Sequence, residues 1–156
     1  MSLCCITPDW PAPPGVRAYS TLRSGGHSLG VHASLNLGVH VGDQPEHVAA
    51  NRQTLRDALN LPNEPFWLNQ VHGTAVAEVG RQTSQAPQAD AAFTHTAGAV
   101  CVVMTADCLP VLFASRDGQR VAAAHAGWRG LADGVLAATV EALGGGDLMA
   151  WLGPAI

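Results

Sequence analysis

The chain has 156 residues, of which 47% are apolar and only 13% charged, so it has the composition of a folded domain with a sizeable core and excludes a disordered segment. Net charge is −4 and all eight basic residues are Arg, with no basic run, which excludes the broad cationic footprint of a nucleic-acid binder. Aromatics are 5%, so the interior must be built from Ala, Val and Leu.

Met1-Ser2-Leu3-Cys4-Cys5-Ile6 lacks a basic segment followed by an apolar one, so no signal peptide is expected there. No apolar stretch is long and unbroken enough to span a bilayer. Cys4, Cys5, Cys101 and Cys108 have none of the spacings of a disulfide framework or zinc finger. The expectation is a reduced, cytoplasmic protein with no membrane partner.

In chain order, residues 16–22 alternate as a strand and are followed by the turn Ser24-Gly25-Gly26, while residues 34–38 read as extended chain. Asp43-Gln44-Pro45-Glu46 predicts a helix start, with Asp43 as cap and Glu46 completing a capping box. That helix runs to Leu59, with Val48, Leu55 and Leu59 on one face, and Pro62 ends it. Residues 66–69, 75–79, 99–104, 111–114, 121–125 and 149–152 are short apolar runs bounded by turn formers, hence strands. Arg116-Asp117-Gly118 reads as a hairpin turn, residues 84–88 as a loop, and 132–143 as a second helix stopped by Gly144-Gly145-Gly146. The fold class is α+β, with mixed sheet covered by helices in a single domain over 1–156. Trp151-Leu152-Gly153-Pro154-Ala155-Ile156 is apolar to its last residue, and a chain shortened at its C-terminus is expected.

Three segments share one design, an apolar strand ending in a metal-competent residue with Gly or Pro close behind: Val71-His72-Gly73, Asp107-Cys108-Leu109-Pro110 and His125-Ala126-Gly127. His72, Cys108 and His125 make a Cys-His₂ set, and three protein ligands leave the fourth position of zinc open, as in catalytic sites. A water there has its pKa lowered to roughly 7. The bland alternative is a small apolar Cys108 and two hydrogen-bonded histidines. Beside these, Asp107 reads as general acid or base, as an orienting group, or as a turn cap. Arg129 reads as a bidentate anion holder, a salt-bridge partner or a helix-start contact, and Arg23 before Gly25-Gly26 as an anion contact. Asn69 and Gln70 read as hydrogen-bonding groups for a ligand edge or as turn formers, and Trp128 as a flat stacking surface or as packing. Arg52 and Arg56 read as a solvated face, Cys101 as core, and His27, His32, His40, His47 and His95 as surface or structural residues.

The runs Trp67-Leu68-Asn69-Gln70-Val71-His72-Gly73, Met104-Thr105-Ala106-Asp107-Cys108-Leu109-Pro110-Val111 and Ala124-His125-Ala126-Gly127-Trp128-Arg129-Gly130 closely resemble the YfiH-type family, also called laccase-domain or multicopper polyphenol oxidase-like. Ser34-Leu35-Asn36-Leu37-Gly38 and Gln88-Ala89-Asp90-Ala91 support it. The resemblance implies a layered αββα sandwich, metal ligands at His72, Cys108 and His125, and zinc as the ion, with copper as the alternative. It also implies purine nucleoside phosphorylase activity on adenosine, inosine, guanosine and methylthioadenosine with phosphate, plus adenosine deaminase activity. The family pattern continues past Ile156. Two alternatives stand beside this: a copper polyphenol oxidase, which seven histidines are too few to equip with a trinuclear cluster, and a cysteine hydrolase of peptidoglycan precursors with Cys108 as nucleophile. A third, non-enzymatic reading is an inactive fragment.

Overall fold

A computed structural model describes residues 3–80 and 85–156, in two compact units. Ser84, the first residue of the loop expected over 84–88, lies outside the described residues.

The first unit takes in Met1–Pro8 and Tyr19–Leu61. Strand β1, Cys5–Ile6, pairs antiparallel with β2, Ser20–Thr21. The strand expected over 16–22 therefore shrinks to two ladder residues, because its partner stops before Pro8, which has no N–H to donate. Residues 34–38 pair with no strand: 33–35 form a turn, and beyond it the Asn36 side chain accepts from Gly38 N–H and donates to Gly38 O, closing the loop on itself.

Helix α1, Pro45–Leu59, has the expected length and Pro in its first turn. Its start differs from the expected capping box. Gln44 is the cap, with no side-chain cap bond, and its carbonyl accepts from His47 and Val48 N–H. Asp43 instead accepts from Ser28 Oγ (2.6 Å), Asn36 Nδ2 (3.0 Å) and Gln44 N–H (2.8 Å). The helix ends in a left-handed Asn60 two residues before Pro62. Val48 and Leu55 are buried as the periodicity predicts, and Leu59 is half-buried. Asn51 lies between them, fully buried, donating to Ser28 Oγ and Asn36 O and accepting from His27 N–H. Arg52 is not a solvated charge, since its guanidinium donates twice to Leu37 O.

The second unit takes in Asp9–Ala18 and Pro62–Ile156 and carries a five-stranded mixed sheet. Its strands are β3 (Val76–Glu78), β4 (Ala91–Thr94), β5 (Leu109–Ser115), β6 (Val121–Ala126) and β7 (Leu148–Leu152), in the order β3-β4-β6-β5-β7. Only β3 and β4 run parallel. The hairpin between β5 and β6 turns at Gly118, whose φ of 74° suits glycine. Residues 99–104 are not a strand; Cys101 makes a single bridge to Phe66, and Asn69 one to Gln88. β4 is not among the expected strands: half of Ala-Ala-Phe-Thr is alanine, which disfavours strand, and the segment is fixed by its place between β3 and β6.

The expected helix over 132–143 is two helices, α2 (Trp128–Asp133) and α3 (Val135–Ala142). Gly134, at φ 99°, breaks them apart. Arg120 donates to Leu143 O and Gly145 O, satisfying carbonyls that the end of α3 leaves open. One sheet face packs Ala91, Val111, Phe113, Ala122, Ala124 and Ala126 against Val135 and Leu143. The other face covers Ala92 with Leu68, Ala89, Phe66, Cys101 and Val103. No helix of the described residues is long and apolar enough to cross a membrane.

Leu143 is fully buried, and Leu143→Ala should cost about 2–5 kcal/mol in urea unfolding. The hydrogen bonds from Ser28 and then Asn36 hold the Asp43 carboxyl down to about 2, below its usual value of about 3.9. A depressed acid stabilises the fold fully above its unfolded pKa and loses that contribution as pH falls through the folded one. Melting temperatures between about pH 4 and pH 2 should therefore fall by a component that Asp43→Asn lacks.

Candidate metal centre

β6 carries Ala122, Ala124 and Ala126 into the helix-covered core, so strand alternation turns His125 to the other face, where it is 3% exposed. Cys108 lies one residue before β5, which pairs with β6 in the register Leu109↔Ala126 and Pro110↔His125. Cys108 is therefore set beside His125 by the ladder itself. His72 arrives from the turn before β3, with a left-handed backbone at φ 60°. A non-glycine residue in that conformation costs roughly 1–2 kcal/mol and needs surroundings that hold it.

Those surroundings are one carboxylate. Asp90, fully buried just before β4, accepts from three successive backbone N–H groups: Val71 at 3.1 Å, His72 at 2.9 Å and Gly73 at 2.7 Å. It also accepts from His125 Nδ1 at 2.8 Å, while its own carbonyl accepts from His125 N–H at 2.7 Å. Because a carboxylate only accepts, the His125 proton sits on Nδ1 and the Nε2 lone pair is free. Burial pushes the Asp90 carboxyl up, but the bonds from His125 and the three backbone N–H groups outweigh it, and the group is held below the ordinary carboxylate range.

His72, Cys108 and His125 offer donor atoms that all lie within 4.8 Å of one another, with Cys108 Sγ 3.9 Å from His72 Nε2 and the two rings nearly perpendicular. Tetrahedral zinc, with Zn–S about 2.3 Å and Zn–N about 2.0–2.1 Å, sets sulfur and nitrogen about 3.6 Å apart, so the donor set fits such an ion. Gly127 supports the fit. A methyl group there would stand 2.8 Å from His72 Cδ2 and 3.2 Å from Cys108 Sγ, filling the cradle. At Gly130 a methyl would meet Gly73 O at 2.8 Å, so this glycine lets α2 approach the His72 turn. Among the described residues this is the one cluster of three such ligands.

The outer side of the centre is an open cleft lined by His72, Asp107, Cys108, Trp128 and Arg129. Burial, then the hydrogen bond to Asp107 and the charges of Asp107 and Asp90, push the Cys108 thiol up. Burial alone pushes Cys101 up to about 12, consistent with its core position. Asp107 is exposed, accepts from the Cys108 thiol at 3.5 Å, and through its carbonyl accepts from Ile156 N–H. Trp128 is 73% exposed, with the Arg129 guanidinium 5.1 Å over its ring.

The remaining expected site residues lie elsewhere. Gln70 clasps Met104 through both its backbone groups, at 2.7 and 2.8 Å, which makes it a tie between the 67–73 and 104–108 segments. Asn69 is exposed, and its backbone bridges Gln88. Arg23 belongs to the first unit, where its guanidinium donates twice to Ala33 O. Sequence reasoning missed Asp90 as a site residue. The available signal was a lone acid inside Ala89-Asp90-Ala91-Ala92, where a charge needs buried partners.

The chain matches the family of multi-copper polyphenol oxidoreductase laccases over residues 17–156 and belongs to it. It is 54% identical over 153 residues to the purine nucleoside phosphorylase YfiH of Escherichia coli, with 97% of this chain and 63% of that protein covered. It is 56% identical, at 97% and 62% coverage, to a Pseudomonas aeruginosa protein of the same description. The crystal structure of Neisseria meningitidis protein NMB0706 superposes with a TM-score of 0.92 at 51% identity, covering 97% of this chain and 63% of that one. The chain thus spans about 63% of the length of the curated relatives it matches.

At Gly127 the backbone (φ −61°, ψ 158°) suits any residue, so Gly127→Ala should disturb the ligands without straining the chain. Zinc affinity, measured by competition with a chromophoric chelator, should fall at least about tenfold, on the scale of perturbed ligand shells. The melting temperature of the metal-free protein should change little.

Proposed function

We propose that this chain carries the metal centre of a purine nucleoside phosphorylase that also deaminates adenosine. The observation behind the reading is the convergence of His72, Cys108 and His125 at the floor of an open cleft, in a chain whose relatives are described as purine nucleoside phosphorylases. His72, Cys108 and His125 would hold zinc, which would supply Lewis acidity toward water and substrate. A reduced, cytoplasmic setting keeps Cys108 available as a ligand.

The cleft residues divide the remaining work. The exposed indole of Trp128 offers a face on which a purine stacks. Arg129 beside it holds inorganic phosphate through its planar guanidinium. In phosphorolysis a phosphate oxygen bonds to C1′ as the N9–C1′ bond breaks, giving ribose 1-phosphate and a base that takes up a proton. In deamination water adds at C6 and ammonia leaves. Asp107 lines the cleft, and in this reading it accepts the proton of the attacking water and returns it to the leaving amine. Adenosine, inosine, guanosine and methylthioadenosine are the substrate set, and nucleoside and phosphate are the partners.

The alternatives have less support. A hydrolytic thiol needs a lowered pKa, whereas the surroundings of Cys108 raise it. Multicopper oxidation needs further copper ligands, and among the described residues His72, Cys108 and His125 form the one group of three metal-competent side chains.

Purified protein should convert inosine to hypoxanthine only with phosphate, and adenosine to inosine without it. Cys108→Ala should lose both activities together with bound metal; full phosphorolysis in that variant while metal-free would overturn the reading. Arg129→Ala should raise KM for phosphate about tenfold, the worth of one charge-assisted hydrogen bond, with a smaller change in KM for the nucleoside.

A further inference from the structure

The ring of His125 and the backbone of the His72 turn share one anchor, and we infer that Asp90 is the positioning residue of the centre, holding both imidazole ligands in their binding pose before any ion arrives. The inference deepens the metal reading above and rests on it.

Counting donors makes the case. Asp90 Oδ1 accepts from His72 N–H and His125 Nδ1–H, and Oδ2 accepts from Val71 N–H and Gly73 N–H. A carboxylate offers about four lone-pair sites, so every one is taken. Nothing remains for an ion, a water or a substrate, and Asp90 acts neither as a ligand nor as a base. Its influence reaches the centre by two routes. Through the ring it keeps the His125 proton on Nδ1, which leaves Nε2 bare and aimed toward Cys108 and His72. Through the backbone it gathers three successive N–H groups into a nest, which holds His72 at φ 60° and brings its ring 4.8 Å from that of His125. The same residue fastens its own carbonyl to His125 N–H, in line with the Ala91↔Ala124 register that follows. Two ligands distant in sequence are therefore fixed by one atom group, and the third, Cys108, is fixed to His125 by the β5–β6 ladder.

The charge and the shape are both required. An amide in place of the carboxylate fills the same volume but, whichever way it turns, presents an NH₂ to two of the four N–H donors, donor against donor. Asp90→Asn should loosen the turn and the ring together without opening a cavity.

The test uses zinc alone, bound to the purified protein and followed by chelator competition, with cobalt substitution to read the ligand field. Wild-type protein should bind one zinc. Asp90→Asn should bind it about 10–100-fold more weakly and shift the cobalt d–d bands. Leu143→Ala, which empties the core on the opposite face of the sheet, serves as the control for general destabilisation. It should lower the melting temperature yet leave zinc affinity within about twofold, since sites that share no partners act independently. If Asp90→Asn retains wild-type affinity and cobalt spectrum, or if Leu143→Ala loses as much affinity, the inference falls while the metal reading stands. If the wild-type protein binds no zinc, both fall. Should Asp90→Asn not fold, the ¹H–¹⁵N spectrum of the wild-type metal-free protein still decides: His125 protonated on Nε2 overturns the inference, and protonation on Nδ1 supports it.

Discussion

A buried carboxylate is expensive to keep charged, and at Asp90 the cost is offset by four N–H donors that arrive from two different places in the chain. Three come from consecutive peptide units of one turn and the fourth from an imidazole on a neighbouring strand. Because the anion is stable only while all four donors surround it, the turn, the ring and the strand start are obliged to occur together. The left-handed backbone of His72 follows from this arrangement. So does the free Nε2 of His125, since the donor to Asp90 is Nδ1.

Small residues make the approach possible. Ala91, Ala122, Ala124 and Ala126 present short side chains that bring α3 close on one face of the sheet, and Ala92 and Ala123 keep the opposite face, which carries His125, equally low. Gly127 and Gly130 continue the theme at the edge of the sheet, the first leaving room for the ligand side chains and the second for the carbonyl of Gly73. The scarcity of aromatic residues thus has a structural meaning: bulk is withheld where three backbone segments meet. Trp128 and Arg129 follow Gly127 directly, so the residue that clears space for the ligands is continuous with those that line the cleft.

The first unit solves a different problem with similar means. Its 23–43 segment has little regular structure, and its polar groups are satisfied by Asn51, Arg52 and Asp43 from or beside α1. Asn51 occupies a position on the apolar face where periodicity alone would place a hydrophobic residue. Its buried amide is paired, which makes the loop an ordered part of that unit.

Residue type and local spacing by themselves determined the helix over Pro45–Leu59 and the hairpin at Gly118, and they marked His72, Cys108 and His125 as metal-competent, although only His125 stands on a strand. Each of these depends on neighbours within a turn or two of chain. What the sequence left open depended on distant partners. Propensity favoured the Val-rich residues 99–104, yet Ala91–Thr94 joined the sheet, because that run found a neighbouring strand on each side. Gly134 was legible as a glycine but its left-handed break was not, because helical periodicity continues on both sides of it. Asp90 shows the division most clearly. Its identity is written in the chain, yet its role exists only where the 71–73 turn and His125 are brought to it, and hydrogen bonds across 17 to 35 residues of sequence form only in the folded chain.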